Sequence, residues 1–494
     1  MSGSREIELK FLCAPGDLGA VLAAAPAGDD ESRELISVYF DTPDLALQKK
    51  GVSLRVRQSK GGRVQTLKRG AGLSREEHEE PIAGDVPDPD LGPIRELLPD
   101  GQAETLKPAF NVRVTRRQRL IRYHDAEIEL AVDQGEVRGG PRASPISEVE
   151  LELKSGPPAA LFDLARELSQ AAPLYLSFDG KASRGQALVA DAPLQAKRKE
   201  RVELAPDAST VEAFQATARN ALGQIAANAV VLREEVQAEA VHQLRVATRR
   251  LRSALSTFSP ILDDRDLGQV KEELRWLAHA CNDARDLDVF ADRIADTART
   301  LDPAPAGLPA LSKAVETARA RAAAEVAQAV ASERFRALLI DVTAWVETGP
   351  WLEDPAGRER RDEPARAFAA HALEKRRRRL LKSGHGLKQA DDERRHEVRI
   401  EAKKLRYTAE AFVSLYPDKA AGRFLKPLKA LQEELGALND QATAEPLAAR
   451  LALPQDAAFA AGELAGVQAC DKPRRIEAAA RELRKLATAE RFWD

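Results

Sequence analysis

Along the first part of the chain, apolar and polar residues alternate in short runs; after residue 206 they recur every three to four residues. Alternation is the period of a half-buried strand, and the longer repeat is that of a helix. Strands are expected at 5–12, 35–41, 52–58, 63–69, 121–134 and 146–154, bounded by turn signals such as Lys60-Gly61-Gly62 and Gly139-Gly140-Pro141. Helices are expected at 15–25, 91–98 and 159–171. Beyond Pro206 the chain reads as all helical, with Ser209 or Thr210 capping the first long helix and breaks near Pro260, 303–309, 349–364 and Pro417. The domain reading is 1–190, a linker at 191–206, and a helical region at 207–494.

The helical region contains a repeat. His242-Gln-Leu-Arg245-Val-Ala-Thr-Arg249-Arg250-Leu251-Arg252 matches His396-Glu-Val-Arg399-Ile-Glu-Ala-Lys403-Lys404-Leu405-Arg406. The separation, 154 residues, also carries Arg275 onto Lys429 and Asp286 onto Asp440. One constant offset at three places indicates a duplicated unit, read as two bundles of four helices.

Composition sharpens this picture only through its clusters. The 75 basic and 78 acidic residues nearly cancel, to a net charge of −3, although charged residues make up 31% of the chain. No apolar run nears the roughly 20 residues that cross a bilayer, and no signal-peptide core is present at the N-terminus. Cys13, Cys281 and Cys470 form no paired motif. A cytoplasmic protein without membrane association is the expectation.

The charged residues then suggest chemistry. Glu6, Glu8 and Lys10 share one face of the first strand, and Glu148, Glu150, Glu152 and Lys154 share one face of a later strand. Carboxylates held at this spacing suit a hard divalent ion, Mg²⁺ or Mn²⁺, with Asp133 as a further candidate. Arg55 with Arg57, Lys68, Arg75, Arg113, Lys181 and Arg184 are the cations for an anion that accompanies the metal. Of Arg116, Arg117 and Arg119, Arg117 shares its face with Arg113 by alternation. In the helical region His242, Arg245, Arg249 and Arg252 lie on one helix stripe, repeated by His396, Arg399, Lys403 and Arg406, with Arg275 and Lys429 as additions. Such stripes lack the interleaved aromatics of single-strand nucleic-acid platforms, so nucleic acid is disfavoured and a bare phosphate chain fits.

Glu6-x-Glu8-x-Lys10, Leu54-Arg55-Val-Arg57, Thr66-Leu-Lys68, Arg75-x-Glu77-x-Glu79, Glu148-x-Glu150-x-Glu152-x-Lys154 and Lys181-x-x-Arg184-Gly185 together resemble the CYTH domain of triphosphate tunnel metalloenzymes. The histidine–arginine repeats, with Arg285-Asp286-x-Asp288 and Asn439-Asp440, resemble the CHAD domain. The resemblance implies an α+β N-terminal domain built as an eight-stranded antiparallel β-barrel tunnel, followed by an all-α domain of two four-helix bundles. It implies metal-dependent hydrolysis of inorganic triphosphate or polyphosphate ends, with Glu6, Glu8, Glu150 and Glu152 on the metal. Lys10, Arg55, Arg57, Lys68, Arg113 and Lys181 would then hold phosphate. Glu8, Asp133 and Lys10 are the expected catalytic groups. The helical domain would bind polyphosphate and associate with its granules. The alternatives are a non-catalytic polyphosphate receptor and an adenylyl cyclase or nucleoside triphosphatase.

Overall fold

The computed structural model describes residues 4–59, 61–70, 74–99, 101–191 and 194–494, and at 4–6, 59 and 74–75 the backbone alone. The chain forms two compact units: Met1–Gln195 with Ser332–Thr348, and Ala196–Ala331 with Gly349–Asp494.

The first unit is built on nine antiparallel strands. They are β1 (Ser4–Leu12), β2 (Asp30–Asp41), β3 (Val52–Ser59), β4 (Gly62–Arg69), β5 (Ser74–Ile82), β6 (Lys107–Tyr123), β7 (Ala126–Gly139), β8 (Arg142–Ser155) and β9 (Tyr175–Ser177). Their order is β5-β4-β3-β2-β6-β7-β8-β1-β9, and β5 also pairs with β1 through Ser4–Ile7 and Ser74–Glu77. The expected strand 121–134 is in fact two, broken at His124-Asp125, where His124 takes a left-handed φ of 50°. Strand β6 hides most of its length from pattern reading because arginines occur on both of its faces.

Alternation sorts each strand into a charged face and an apolar face. On β3, Leu54 and Val56 are buried under the short helices Ala46–Lys49 and Ile94–Leu97, while Arg55 and Arg57 point the other way. The charged face ends in an apolar layer of Leu35, Tyr39, Phe110, Val112, Val114, Val137 and Ile146, packed against Ala182 and Leu188 of the helix Lys181–Val189. A Cβ at Gly185 would stand 2.2 Å from the Phe110 ring, so only glycine lets this helix seat there. That seating aims Lys181 at the strands.

The helix Glu333–Thr348 belongs to the first unit although it lies far along the chain. It packs on the helix Ala159–Ala171 and on β9, with Arg166 hydrogen-bonded to Asp341 at 2.6 Å and Arg336 over the Tyr175 ring. The sequence reading gave this helix to the second region. Phe335, Leu338, Leu339, Ile340, Val342 and Val346 are buried all round it, so no single stripe tells which core claims it.

In the second unit Ser209 caps the helix Thr210–Glu234 in a reciprocal box with Glu212. The expected linker is tied down from Ala196 onward. Asn228 brackets the Lys197 backbone at 3.1 and 2.9 Å, Lys199 binds Glu410 at 2.6 Å, and Arg201 meets Asp418 at 2.8 Å. The two histidine helices, Ala238–Thr257 and Asp392–Phe412, bury Leu244, Leu251, Leu255, Val398, Leu405 and Phe412. They meet through Thr257 and Thr408, 2.9 Å apart, and through Arg249, which donates to the Tyr407 hydroxyl at 2.6 Å.

Candidate active site and basic cavity

The charged face of the sheet borders a cavity of about 270 Å³. Register places its residues in rows. Glu8 of β1 opposes Glu152 of β8, which in turn opposes Glu129 of β7. One step along, Lys10 opposes Glu150, and a further step on, Glu148 opposes Asp133. Like charges directly opposite one another are unfavourable without a cation between them. Lys154 partly answers the first row, at 2.6 Å from Glu152 and 3.9 Å from Glu129, and Lys10 lies 3.3 Å from Glu8.

Deeper in, Asp133, Glu148 and Glu150 each bring one oxygen within 4.8 Å of the others, a spacing at which they could hold one cation. That position is taken by an ammonium. Lys181 Nζ lies 2.7 Å from Asp133 and 2.8 Å from Glu150, and also contacts Glu148. Lys10 and Arg116 bind Glu150 as well, and Arg116 forks onto Asp133 at 2.8 and 2.7 Å. Three carboxylates thus meet three cations in a buried, neutral cluster. Burial works to raise the Glu150 carboxyl, but Lys10, Lys181 and Arg116 outweigh it and hold it well below the usual range. Burial likewise opposes the Lys181 charge, and Asp133, Glu148 and Glu150 overcome it. Glu8, Glu129 and Glu152 form a second, more open row of carboxylates that borders the cavity.

Facing these acids are Arg33, Arg55, Arg57 and Lys68, with Tyr39 and Thr66 among them. Lys68 lies 3.1 Å from Glu77, Arg55 4.0 Å from Glu77 and 3.9 Å from Glu79, and Thr66 donates to Glu79 at 2.9 Å. Burial, then the charges of Arg55 and Arg116, push Arg57 down to about 10. Burial would raise the Tyr39 hydroxyl, but Arg55 and Arg57 outweigh it and lower it. Arg33, Arg55, Arg57 and Lys68 thus share this wall with two carboxylates, Glu77 and Glu79.

The structure redistributes several expected residues. Glu8, Lys10, Arg55, Arg57, Lys68, Glu150, Glu152 and Lys181 border the cavity. Asp133 and Glu148 are fully buried behind it, and Arg184 backs Glu148 at 3.6 Å. Arg113 and Arg117 stand on the exposed face of β6, Arg113 beside Glu34 at 3.3 Å. The inward position belongs to Arg116, one residue off, because the even-numbered residues Val112 and Val114 set the buried face. Glu6 and Arg75 oppose one another in the backbone register, and their side chains lie outside the described residues. Sequence reasoning passed over Glu129, Arg33 and Tyr39. Glu129 carried a signal, since it precedes Asp133 by an even number of residues and so shares its face.

A second cavity, of about 380 Å³, opens in the helical unit. Both stripes converge on it. His242, Arg245 and Arg249 arrive from one histidine helix, His396, Arg399 and Lys403 from the other, Arg285, Asp286 and Arg293 from the helix Asn282–Ala298, and Asn439 and Asp440 from the helix Asp418–Arg450. The repeat is thus a near two-fold lining. Its halves differ in their histidines. His396 Nδ1 meets Asn439, whereas the residue matching Asn439 in the first half is Arg285, and His242 Nδ1 is buried without a partner. Burial and then the Arg285 charge push His242 down to about 4. Arg252, Arg275 and Lys429 are exposed outside the cavity. Arg406 also leaves it, turned to Glu410 at 2.8 Å and Gln432 at 3.1 Å.

Among the described residues no helix is long and apolar enough to cross a membrane. Comparison with known proteins agrees with the two-part architecture. The CYTH domain family matches residues 4–185 and the CHAD domain family residues 216–449. An inorganic triphosphatase of Haemophilus influenzae is 35% identical over 194 residues, which are 37% of this chain and 55% of that protein. The chain thus spans about half the length of that relative. An uncharacterized protein of Mycobacterium tuberculosis is 28% identical over 428 residues, 79% of this chain and 78% of its own. The crystal structure of the CHAD domain from the plant Ricinus communis is 32% identical, with a TM-score of 0.52 over 60% of this chain and 98% of that one. The chain belongs to the proteins in which a CYTH domain, here residues 4–185, is followed by a CHAD domain, here residues 216–449.

Proposed function

We propose that the first unit hydrolyses inorganic triphosphate and the ends of polyphosphate chains with the help of Mg²⁺ or Mn²⁺, and that the helical unit binds polyphosphate. The observation that carries this reading is the split lining of the first cavity, a row of carboxylates facing a wall of guanidinium and ammonium groups. In this reading the nine strands form an eight-stranded tunnel with β9 as an addition, supported by the pairing of β5 with β1, and the helical unit folds as two four-helix bundles.

Arg55, Arg57, Lys68 and Arg33 bind the non-bridging oxygens of the triphosphate, the arginines through paired N–H groups. Glu8, Glu129 and Glu152 hold the divalent ion, which when bound neutralises charge on the transferred phosphoryl group and its neighbours. Lys10 borders the same cavity and stays protonated beside Glu150, ready to donate to a phosphoryl oxygen. Glu150 and Asp133 are too strongly held as carboxylates to serve as bases at neutral pH; they position Lys10, Lys181 and Arg116. Glu8, at the junction of the two charge sets, is the residue that orients the attacking water. The likeness of this domain to an inorganic triphosphatase supports the choice of substrate. Tethered polyphosphate in the helical cavity raises the local concentration of chain ends.

The test is to offer the purified protein inorganic triphosphate, long polyphosphate and ATP with Mg²⁺ or Mn²⁺, measuring phosphate and cyclic AMP. Phosphate from triphosphate but not from ATP is expected. Cyclic AMP from ATP would replace this reading with a cyclase. Tight, salt-sensitive polyphosphate retention with no product would replace it with a receptor.

A further inference from the structure

The two histidine helices are copies, but the copies differ where Arg249 in the first corresponds to Lys403 in the second. A guanidinium keeps its charge at any physiological pH, whereas an ammonium crowded by cations gives up its proton. Lys403 shares its cavity with Arg245, Arg249 and His242 from the opposite histidine helix, and with Arg399 and His396 from its own. The helix Asn282–Ala298 adds Arg285, Arg293 and Asp286, and the helix Asp418–Arg450 adds Asp440. Arg249 is held in this array by its bond to Tyr407, and Arg245 by its bond to Asn282 at 3.1 Å. Burial, then the charges of Arg249, Arg399 and Arg245, push Lys403 down to about 6, with Asp440 pulling the other way. Burial and this crowding of cations thus favour the neutral amine at this position.

A phosphate chain seated between the two stripes brings negative charge to Lys403 and removes the reason for its deprotonation. We propose that polyanion binding in the helical cavity is coupled to the uptake of one proton by Lys403, so that this half of the repeat makes affinity sensitive to pH. The inference rests on the reading that this cavity holds polyphosphate. The sign follows from linkage. The free form releases the proton at lower pH than the bound form, so affinity is greatest below a pH of about 6 and falls as pH rises, by up to about tenfold per unit. An arginine at the same place would remove this lysine's contribution to the pH dependence.

The test is calorimetric titration of the full chain with long-chain polyphosphate, in chelator to prevent turnover. It is run in two buffers of different ionisation enthalpy, at about pH 7.5 and about pH 5. Long chains keep terminal phosphate ionisation negligible. The native protein is expected to take up close to one proton more than Lys403→Arg at the higher pH, with the difference gone at the lower. Equal uptake by the two, with tight binding retained in both, overturns the inference. An Arg245→Ala/Arg399→Ala variant is titrated in parallel. If it binds as the native protein does, the reading of the cavity itself fails.

Discussion

Arg116 of β6 meets Asp133 of β7 through two parallel hydrogen bonds, 2.8 and 2.7 Å long, and both residues are buried. Removing one partner leaves the buried cluster out of balance by one charge. Asp133→Asn is expected to cost about 3–5 kcal/mol of stability, read as a lower urea midpoint. Arg116→Lys keeps the charge but loses the fork, and should cost less.

The same cluster sets the response to acid. Glu150 has its carboxyl lowered in the folded protein, so its contribution is present above the unfolded value of about 4.3 and lost as pH falls through the folded value. Urea midpoints should fall with acid more steeply in the native protein than in Glu150→Gln, and the two curves should converge at the acid end. Parallel curves would show that Glu150 is not held down by its neighbours.

The open carboxylate row should behave differently from the buried cluster. Glu8→Gln, Glu129→Gln and Glu152→Gln are each expected to slow metal-dependent phosphate release by about 10²-fold or more, with the melting temperature retained and more metal needed for half-maximal rate. Glu148→Gln should instead lower the melting temperature. Full activity in Glu129→Gln would remove it from the proposed metal site.

Tyr39 of β2 opposes Arg55 of β3 in register and feels the Arg57 charge as well, its ring stacked on Phe110 at 4.6 Å. Tyr39→Phe keeps the stack and deletes the hydroxyl. Triphosphate affinity should fall by about tenfold, the worth of one hydrogen bond to a charged group. Arg57→Lys should raise KM more than a conservative exchange suggests, since a lysine cannot form the fork.

In the helical unit the cavity residues should matter more than the outer ones. Arg245→Ala and Arg399→Ala are each expected to weaken polyphosphate binding and to lower the slope of log affinity against log salt by roughly one unit. Arg275→Ala and Lys429→Ala, both exposed and outside the cavity, should change that slope little. Equal effects from both pairs would place the chain on the outer surface instead.

The alternation on β1, β3 and β8 was clear enough to assign Glu8, Lys10, Arg55, Arg57, Glu150 and Glu152 to one face from the residues alone. It failed on β6, where Arg113, Arg116, Arg117 and Arg119 put cations on both faces and only the burial of Val112 and Val114 decides the register. It also missed depth. Nothing in the spacing of Glu148, Glu150 and Glu152 says that the first is sealed behind Lys181 while the last borders the cavity. The helix repeat was legible because a constant offset is a one-dimensional signal. The retreat of Arg406 was not, because it depends on Glu410 and Gln432 arriving from the same helix and from its neighbour.

Because residues 332–348 are built into the N-terminal unit, the backbone leaves that unit at 195, returns, and departs again at 348. Severing the chain near residue 195 would leave the halves tethered by a wedged helix, and they should migrate together until denatured. A recombinant fragment ending at 195 would instead bare the hydrophobic seat on Ala159–Ala171 and β9 that this segment fills. Anyone isolating the N-terminal unit should graft residues 332–348 back onto it.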